Sequence, residues 1–277
     1  MNTISEIPFF KMQGSGNDFI LIDNRTLCLP VEAMPDLART MCPRAFSVGA
    51  DGLILLDQTP PDVRANYIWH FYNADGSRAE MCGNGSRCAA LLAHRLGMAP
   101  AIHTLGTDAG PVRTEVFPDQ NQVRVQLTPV SGLETGLNLQ AEGLEGTVHF
   151  AVVGVPHAVI IVQDVADVDI RSLGRIIRGH KHFAPKGTNV NFIQVIDRRT
   201  VKLRTYERGV EDETFACGTG AAASVAVARA LDLVEDEVRV TPSGGEDLII
   251  LLQGEQAFLK GSAVLVFEGR FFSPRRG

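Results

Sequence analysis

Cys217-Gly218-Thr219-Gly220-Ala221-Ala222-Ala223-Ser224-Val225-Ala226-Val227-Ala228 is the stretch that decides the fold. From Ala221 to Ala228 it carries no charge on any face. A helix that is apolar all round must be buried on every side. Its small alanines let strands approach closely, and most of the remaining chain reads as short strands. The expected fold is therefore α+β, with a curved, mostly antiparallel sheet wrapped around a central apolar helix.

The same pattern occurs earlier in the chain. Phe71-Tyr72-Asn73-Ala74-Asp75-Gly76 leads to Cys82-Gly83-Asn84-Gly85 and an apolar helix through Ala89-Ala90-Leu91-Leu92-Ala93 to Leu96. In the later copy, Thr205-Tyr206-Glu207-Arg208-Gly209 leads to Cys217. The two cysteines are 217 − 82 = 135 residues apart, close to half of a 277-residue chain. Internal similarity at that spacing implies two similar domains, related by a pseudo-twofold with the active site between them. The expected boundaries are residues 1–126 and 127–264, with the Gly-rich stretch Ser131–Gly146 as the candidate crossing.

Strands are expected at Phe9–Gln13, Phe19–Asp23, Gly52–Asp57, Tyr67–Tyr72, Val112–Phe117 and Gln122–Leu127. A second series covers Thr147–Val153, Ala158–Gln163, Val190–Ile196, Val201–Tyr206, Val238–Thr241, Leu248–Leu252 and Ala263–Phe267. Turns at Pro118–Asn121 and Asp197–Thr200 suit hairpins. Two further helices are expected at Val31–Met41 and Ile170–Arg178, and Pro274–Gly277 reads as a frayed tail.

Composition narrows the function. An apolar fraction of 45% supports a core, and a formal charge of −6 argues against a nucleic-acid surface. No apolar run is long enough for a membrane span, and the start of the chain does not read as a secretory signal. The cysteines Cys28, Cys42, Cys82, Cys88 and Cys217 are odd in number and widely spaced. This points to a reducing cytoplasm and away from a disulfide scaffold. No paired Cys/His spacing calls for a metal.

The first N–H groups of a helix lack internal partners and carry partial positive charge. A cysteine there should have its thiolate favoured, and glycines after it admit a ligand to the backbone. Two such helix starts make a nest for a carboxylate, with a thiol on each side. One thiolate can remove the proton from the carbon next to that carboxylate, and the other thiol can return one from the opposite face. As single features, Cys28, Cys42 and Cys88 read as small core hydrophobes, Asn17 and Asn73 as turn residues, and Glu207-Arg208 as a solvated pair.

Taken together, these motifs resemble the diaminopimelate epimerase family. The resemblance runs through Phe10-Lys11-Met12-Gln13-Gly14-Ser15-Gly16-Asn17-Asp18-Phe19, Gly49-Ala50-Asp51-Gly52, Asn73-Ala74-Asp75-Gly76-Ser77 and Cys82-Gly83-Asn84-Gly85-Ser86-Arg87-Cys88. It continues in Gly187-Thr188-Asn189-Val190-Asn191-Phe192, Tyr206-Glu207-Arg208-Gly209 and Ala216-Cys217-Gly218-Thr219-Gly220-Ala221. It implies a cofactor-independent amino-acid epimerase of lysine and peptidoglycan precursor biosynthesis, converting LL-2,6-diaminopimelate to the meso form. It also implies that a C-terminal strand at about 265–277 returns to the first domain, and that the enzyme is a cytoplasmic homodimer.

By the same resemblance, Cys82 and Cys217 are the base and acid. Gly83, Asn84, Gly218 and Thr219 hold the reacting carboxylate, Glu207 meets the reacting amino group, and His157 and Glu207 tune the cysteines. Asn17, Asn73, Asn189 and Arg208 recognise the substrate. Carboxamides can read an ammonium and a carboxylate together, and Arg208 can grip a carboxylate with two parallel bonds. Val155 departs from the family, many members of which place an Asn there.

Four alternatives compete with this reading. A proline racemase or hydroxyproline epimerase would use the same paired thiols. A non-catalytic ligand-binding protein would not need both cysteines, and a thiol redox protein would join them. A pyridoxal-dependent racemase needs a Schiff-base lysine, and Lys11, Lys181, Lys186, Lys202 and Lys260 offer no evident one.

Overall fold

The computed structural model describes residues 6–144 and 146–272. The chain forms two compact units, one of residues 1–125 with 262–277 and one of residues 126–261.

The first unit contains β1 (Glu6–Gly14), β2 (Asn17–Asp23), α1 (Met34–Met41), β3 (Gly52–Asp57), β4 (Tyr67–Asn73) and α2 (Gly83–Arg95). It continues with β5 (Ile102–Thr107), β6 (Gly110–Phe117) and β7 (Gln122–Gln126). The second contains β8 (Val130–Leu137), β9 (Val148–Val153), β10 (Val155–Ile161), α3 (Ile170–Arg178), β11 (Asn189–Asp197), β12 (Thr200–Glu207) and β13 (Asp212–Thr214). It ends with α4 (Gly218–Ala230), β14 (Glu237–Pro242), β15 (Leu248–Gln253) and β16 (Gln256–Ser262). The last strand, β17 (Val264–Phe272), belongs to the first unit.

The sheet of the first unit runs β17-β1-β2-β3-β4-β5-β6-β7. Its pairings are antiparallel except β2–β3 and β4–β5, which are parallel. The sheet of the second runs β8-β9-β10-β11-β12-β14-β15-β16, with β13 paired to the end of β12. Its parallel pairs, β10–β11 and β12–β14, fall at the matching places. The two units are thus the same fold twice, with the C-terminal strand β17 filling in the first unit the place that β8 fills in the second.

Each sheet bends around its own helix. α2 touches β1, β2 and β3 as well as β6, which lies near the other end of the sheet. α4 touches β8 to β11 and also β15. The expected apolar burial is present: every residue of α4 from Gly220 to Ala228 is buried. On the opposite face of each sheet a second core forms. Ile20, Ile22, Leu53, Leu55 and Tyr72 pack with Met34, Ala38 and Met41 of α1. Ala158, Ile160, Val190, Phe192 and Tyr206 pack with Ile170 and Ile177 of α3.

Two expectations need correction. Ser131–Gly146 does not carry the crossing: it lies inside the second unit, and Val130–Leu137 is strand. The strands β5, β8, β13 and β16 were not expected, because glycines, polar residues or shortness break their alternation. The tail at Pro274–Gly277, and the end of the strand expected to 277, lie outside the described residues.

Candidate functional site

Each turn of the internal repeat delivers a cysteine to a helix start. Cys82 is the N-cap of α2, with extended backbone at φ −147° and ψ 121°. Cys217 is the N-cap of α4, at φ −123° and ψ 103°. Neither side chain caps its own helix.

In the first unit the thiol of Cys82 lies 3.7 Å from Asn17 Oδ1, which also accepts from Asn84 Nδ2 at 3.4 Å. The structure thus brings Cys82, Asn17 and Asn84 together. Asn17 is held from behind by a residue to which the sequence reading gave no role: its Nδ2 donates to Asp51 Oδ2 at 2.6 Å. Arg44 bridges Asp51 and Asp18 at 2.8 and 2.5 Å, and Lys11 closes on Asp18 at 2.6 Å. Burial opposes ionisation of Asp18, but Arg44 and Lys11 outweigh it and hold the carboxyl at about 2. Because the Asp51 carboxylate can only accept, Asn17 must turn its NH₂ toward it and its carbonyl toward Cys82. Asn73 stands apart in its own turn, donating to Ser77 Oγ at 3.0 Å.

In the second unit Cys217 is buried, 8% exposed, with Sγ 3.6 Å from Thr219 Oγ1. Burial pushes its thiol up first, and the Glu207 carboxylate adds to this. The Thr219 hydroxyl and the N–H groups of Gly220 and Thr219 pull the other way. The result is about 11. This corrects the expected lowering: the helix start does donate to the sulfur, but desolvation and a nearby negative charge win. Glu207 accepts from Thr214 Oγ1 at 2.9 Å. Asn189 Oδ1 accepts the backbone N–H of Arg208 at 2.8 Å, and Arg208 Nη1 donates to Lys186 O at 3.0 Å. Gly218 opens α4 where a Cβ would stand 2.7 Å from Leu259 Cδ1, and Gly83 opens α2.

His157 is fully buried on β10. Burial, then the charge of Arg208, lowers it to about 3, so the ring is neutral. Its Nδ1 is 3.3 Å from Asn191 Nδ2. Asn191 was quoted in a motif without a role. The signal was available, since Asn191 is a carboxamide set between the apolar Val190 and Phe192. Val155 begins β10, paired in register with Val153, and its side chain brings no polar group.

Among the described residues no group of three or more His, Cys, Asp or Glu could hold a metal. No helix there is long and apolar enough to cross a membrane.

Comparison with known proteins shows the family of the chain. The family model for diaminopimelate epimerase matches residues 9–133 and 149–266. A diaminopimelate epimerase of Aquifex aeolicus is 45% identical over 273 residues, covering 95% of this chain and 97% of that protein. One from a Hydrogenobaculum species is 42% identical over 268 residues, covering 94% and 96%. Among solved structures, a Bacillus anthracis protein of the PhzF family superposes with a TM-score of 0.72 at 14% identity, covering 97% of this chain and 99% of that one. A hydroxyproline epimerase from Agrobacterium vitis gives 0.68 at 16% identity, covering 99% and 95%. At those identities the structures speak for the fold.

Proposed function

The chain belongs to the diaminopimelate epimerase family and is an amino-acid epimerase, and from that premise we propose that it inverts one stereocentre of LL-2,6-diaminopimelate with two thiols, giving the meso isomer. Cys82 and Cys217 exchange the roles of base and acid with the direction of reaction. The thiolate takes the α-proton, breaking the C–H bond and forming an S–H bond. The electron pair is left on the α-carbon and its carboxylate. The opposing thiol then gives its proton to the other face of that carbon and becomes the thiolate.

The observation that carries this reading is the repeated cysteine at the start of a buried helix. Backbone N–H groups at Gly83-Asn84 and Gly218-Thr219 suit the carboxylate, whose charge grows as the proton leaves. The surroundings of Cys217 favour its neutral thiol, which suits the acid role. Glu207 receives the reacting ammonium, and Asn17, whose carbonyl faces the sulfur, accepts from an ammonium. Asn73, Asn189 and Arg208 read the distal amino-acid end, and His157 and Glu207 adjust the sulfurs. Lysine and peptidoglycan precursor biosynthesis is the use such a product has.

A homodimer in a reducing cytoplasm completes the proposal. Free cysteines throughout the described residues support the compartment. The exposed Val266, Phe267 and Phe272 on β17, an edge strand of its sheet, support pairing of two copies.

The test is proton exchange from deuterated solvent. Each diaminopimelate stereoisomer acquires deuterium at the inverted α-carbon, and proline acquires none. Exchange into proline alone would replace the substrate.

A further inference from the structure

Corresponding positions in the two sheets can be matched through their registers. Leu53 pairs with Tyr72 in the first unit and Val190 with Tyr206 in the second. One step along, Ile54 pairs with Phe71, and Asn191 pairs with Thr205. On the neighbouring strand, Phe19 pairs with Gly52 and His157 with Asn189. Phe19, Ile54 and Phe71 thus match His157, Asn191 and Thr205. The first trio is an apolar packing of the helix-facing side, with Phe19 and Phe71 edge to face at 5.9 Å. The second is polar and as deeply buried, each member at most 2% exposed. The fold accepts hydrocarbon at all three positions, so it does not itself demand a polar trio there.

The hydrogen bonds of that trio determine where a proton sits. Asn191 Nδ2 lies 3.0 Å from the carbonyl oxygen of Ala158. A carbonyl only accepts, so the Asn191 atom facing it must be the NH₂ group. Asn191 Oδ1 then takes the Thr205 hydroxyl at 3.0 Å. The second hydrogen of the same NH₂ points to His157 Nδ1 at 3.3 Å. In a neutral ring one nitrogen accepts and the other donates. Nδ1 accepts, so Nε2 carries the hydrogen. That Nε2 is buried and has no hydrogen-bond partner among the described residues. A buried donor left unmatched is costly, and such sites are kept where a ligand supplies the acceptor.

We infer that Asn191 is a positioning residue that locks His157 as the Nε2–H tautomer, a neutral donor held for an acceptor oxygen of the bound amino-acid substrate. This rests on the two-thiol reading above and sharpens it, since His157 then acts by donating a hydrogen bond and not as an acid, a base or a charge. Asn191 also fixes the neighbourhood of Cys217. A Cβ on Gly220 would stand 2.4 Å from Asn191 Oδ1 and 3.2 Å from Cys217 Sγ. The carboxamide therefore packs against the glycine whose N–H supports that sulfur.

A long-range proton–nitrogen correlation spectrum of the full protein, with His157 assigned by its loss in His157→Gln, reads the tautomer without reference to activity. The expected result is a hydrogen on Nε2 and a bare Nδ1 at neutral pH. A hydrogen on Nδ1, or a doubly protonated ring, overturns the inference even in a fully active enzyme. Adding LL-diaminopimelate to the Cys82→Ala variant should then move the Nε2 proton downfield, and an unmoved signal at saturation overturns the ligand role. In turnover, His157→Leu should lose about a hundredfold in kcat, while His157→Gln, whose amide can replace the donor, recovers most of it. Equal loss in both variants rejects the donor role. If no diaminopimelate stereoisomer exchanges deuterium, the two-thiol reading fails while the tautomer result stands on its own.

Discussion

The two cysteine-bearing halves share a backbone and differ in what lies beneath it. Under the α2 start, a Cβ on Gly85 would stand 3.2 Å from Ile54 Cδ1 and 3.5 Å from the Trp69 ring. Under the α4 start, Gly220 meets Asn191 and the Cys217 sulfur. One unit backs its asparagine with a network of ions, Asp51, Arg44, Asp18 and the buried Lys11. The other surrounds its cysteine with neutral, buried hydrogen-bonding groups and one carboxylate, Glu207. The same helix start thus delivers two sulfurs whose proton affinities are set by their neighbours. For a reaction that needs an acid and a base, a Cys217 thiol held neutral suits the acid role.

Removing either sulfur is the strongest way to break the comparison. Cys82→Ala and Cys217→Ala should each lower the rate of meso-isomer formation by about a thousandfold. Circular dichroism should stay unchanged, because neither side chain caps its helix. A variant keeping full activity would remove that cysteine from the chemistry.

Next comes the difference in protonation. Burial, with the Glu207 carboxylate, pushes the folded Cys217 thiol up to about 11 from an ordinary value of 9.0. The unfolded thiol therefore ionises first. The contribution to stability is complete below about pH 9 and fades as pH rises through 11, amounting to about 3 kcal/mol. Urea unfolding at pH 8 and pH 10.5 should show a larger alkaline loss in the native protein than in Cys217→Ala. Parallel losses would refute the assignment. Glu207→Gln should bring the thiol down, seen as faster alkylation of Cys217 at pH 8.

A smaller effect separates the matched glycines. Gly220→Ala places a methyl 2.4 Å from Asn191 Oδ1 and should cost about 2 kcal/mol. Gly85→Ala meets the mobile end of Ile54 at 3.2 Å, with Trp69 and Cys82 at ordinary contact distances, and the better helix propensity of alanine offsets the closer contact. Equal midpoints in thermal melts of the two variants would show that the trio beneath Gly220 is softer than its hydrogen bonds imply.

The least effect is expected at Asp51. In the register of the sheets its counterpart is Thr188, whose hydroxyl donates to the neighbouring Asn189 carbonyl. Asp51→Ala releases the Asn17 amide and should raise KM about tenfold with less change in kcat. An unchanged KM would show that Asn17 is held without it.

Much of this molecule could be read in one dimension. The two helix starts, the charge-free run from Ala221 to Ala228 and the paired Cys-Gly-x-Gly turns are local patterns, and local patterns fix helix starts and burial periodicity. Strand β8 was missed because Gly132 and Gly136 interrupt it and most of its side chains are exposed. Strand β5 was missed because His103, Thr104 and Gly106 hide its alternation. Asp51 and Asn191 sat inside quoted motifs, but the partners that reveal their work lie on other strands.

The sequence by itself determined the duplicated fold, the buried helices and the pair of sulfurs at their starts, because each depends on residues within a few positions of one another. Only the tertiary structure decided that Cys217 keeps its proton and that His157 is a neutral ring bonded through Nδ1. Burial, the Glu207 carboxylate and the Asn191 carboxamide reach those groups across strands, and electrostatic energies follow distance in space and not separation along the chain.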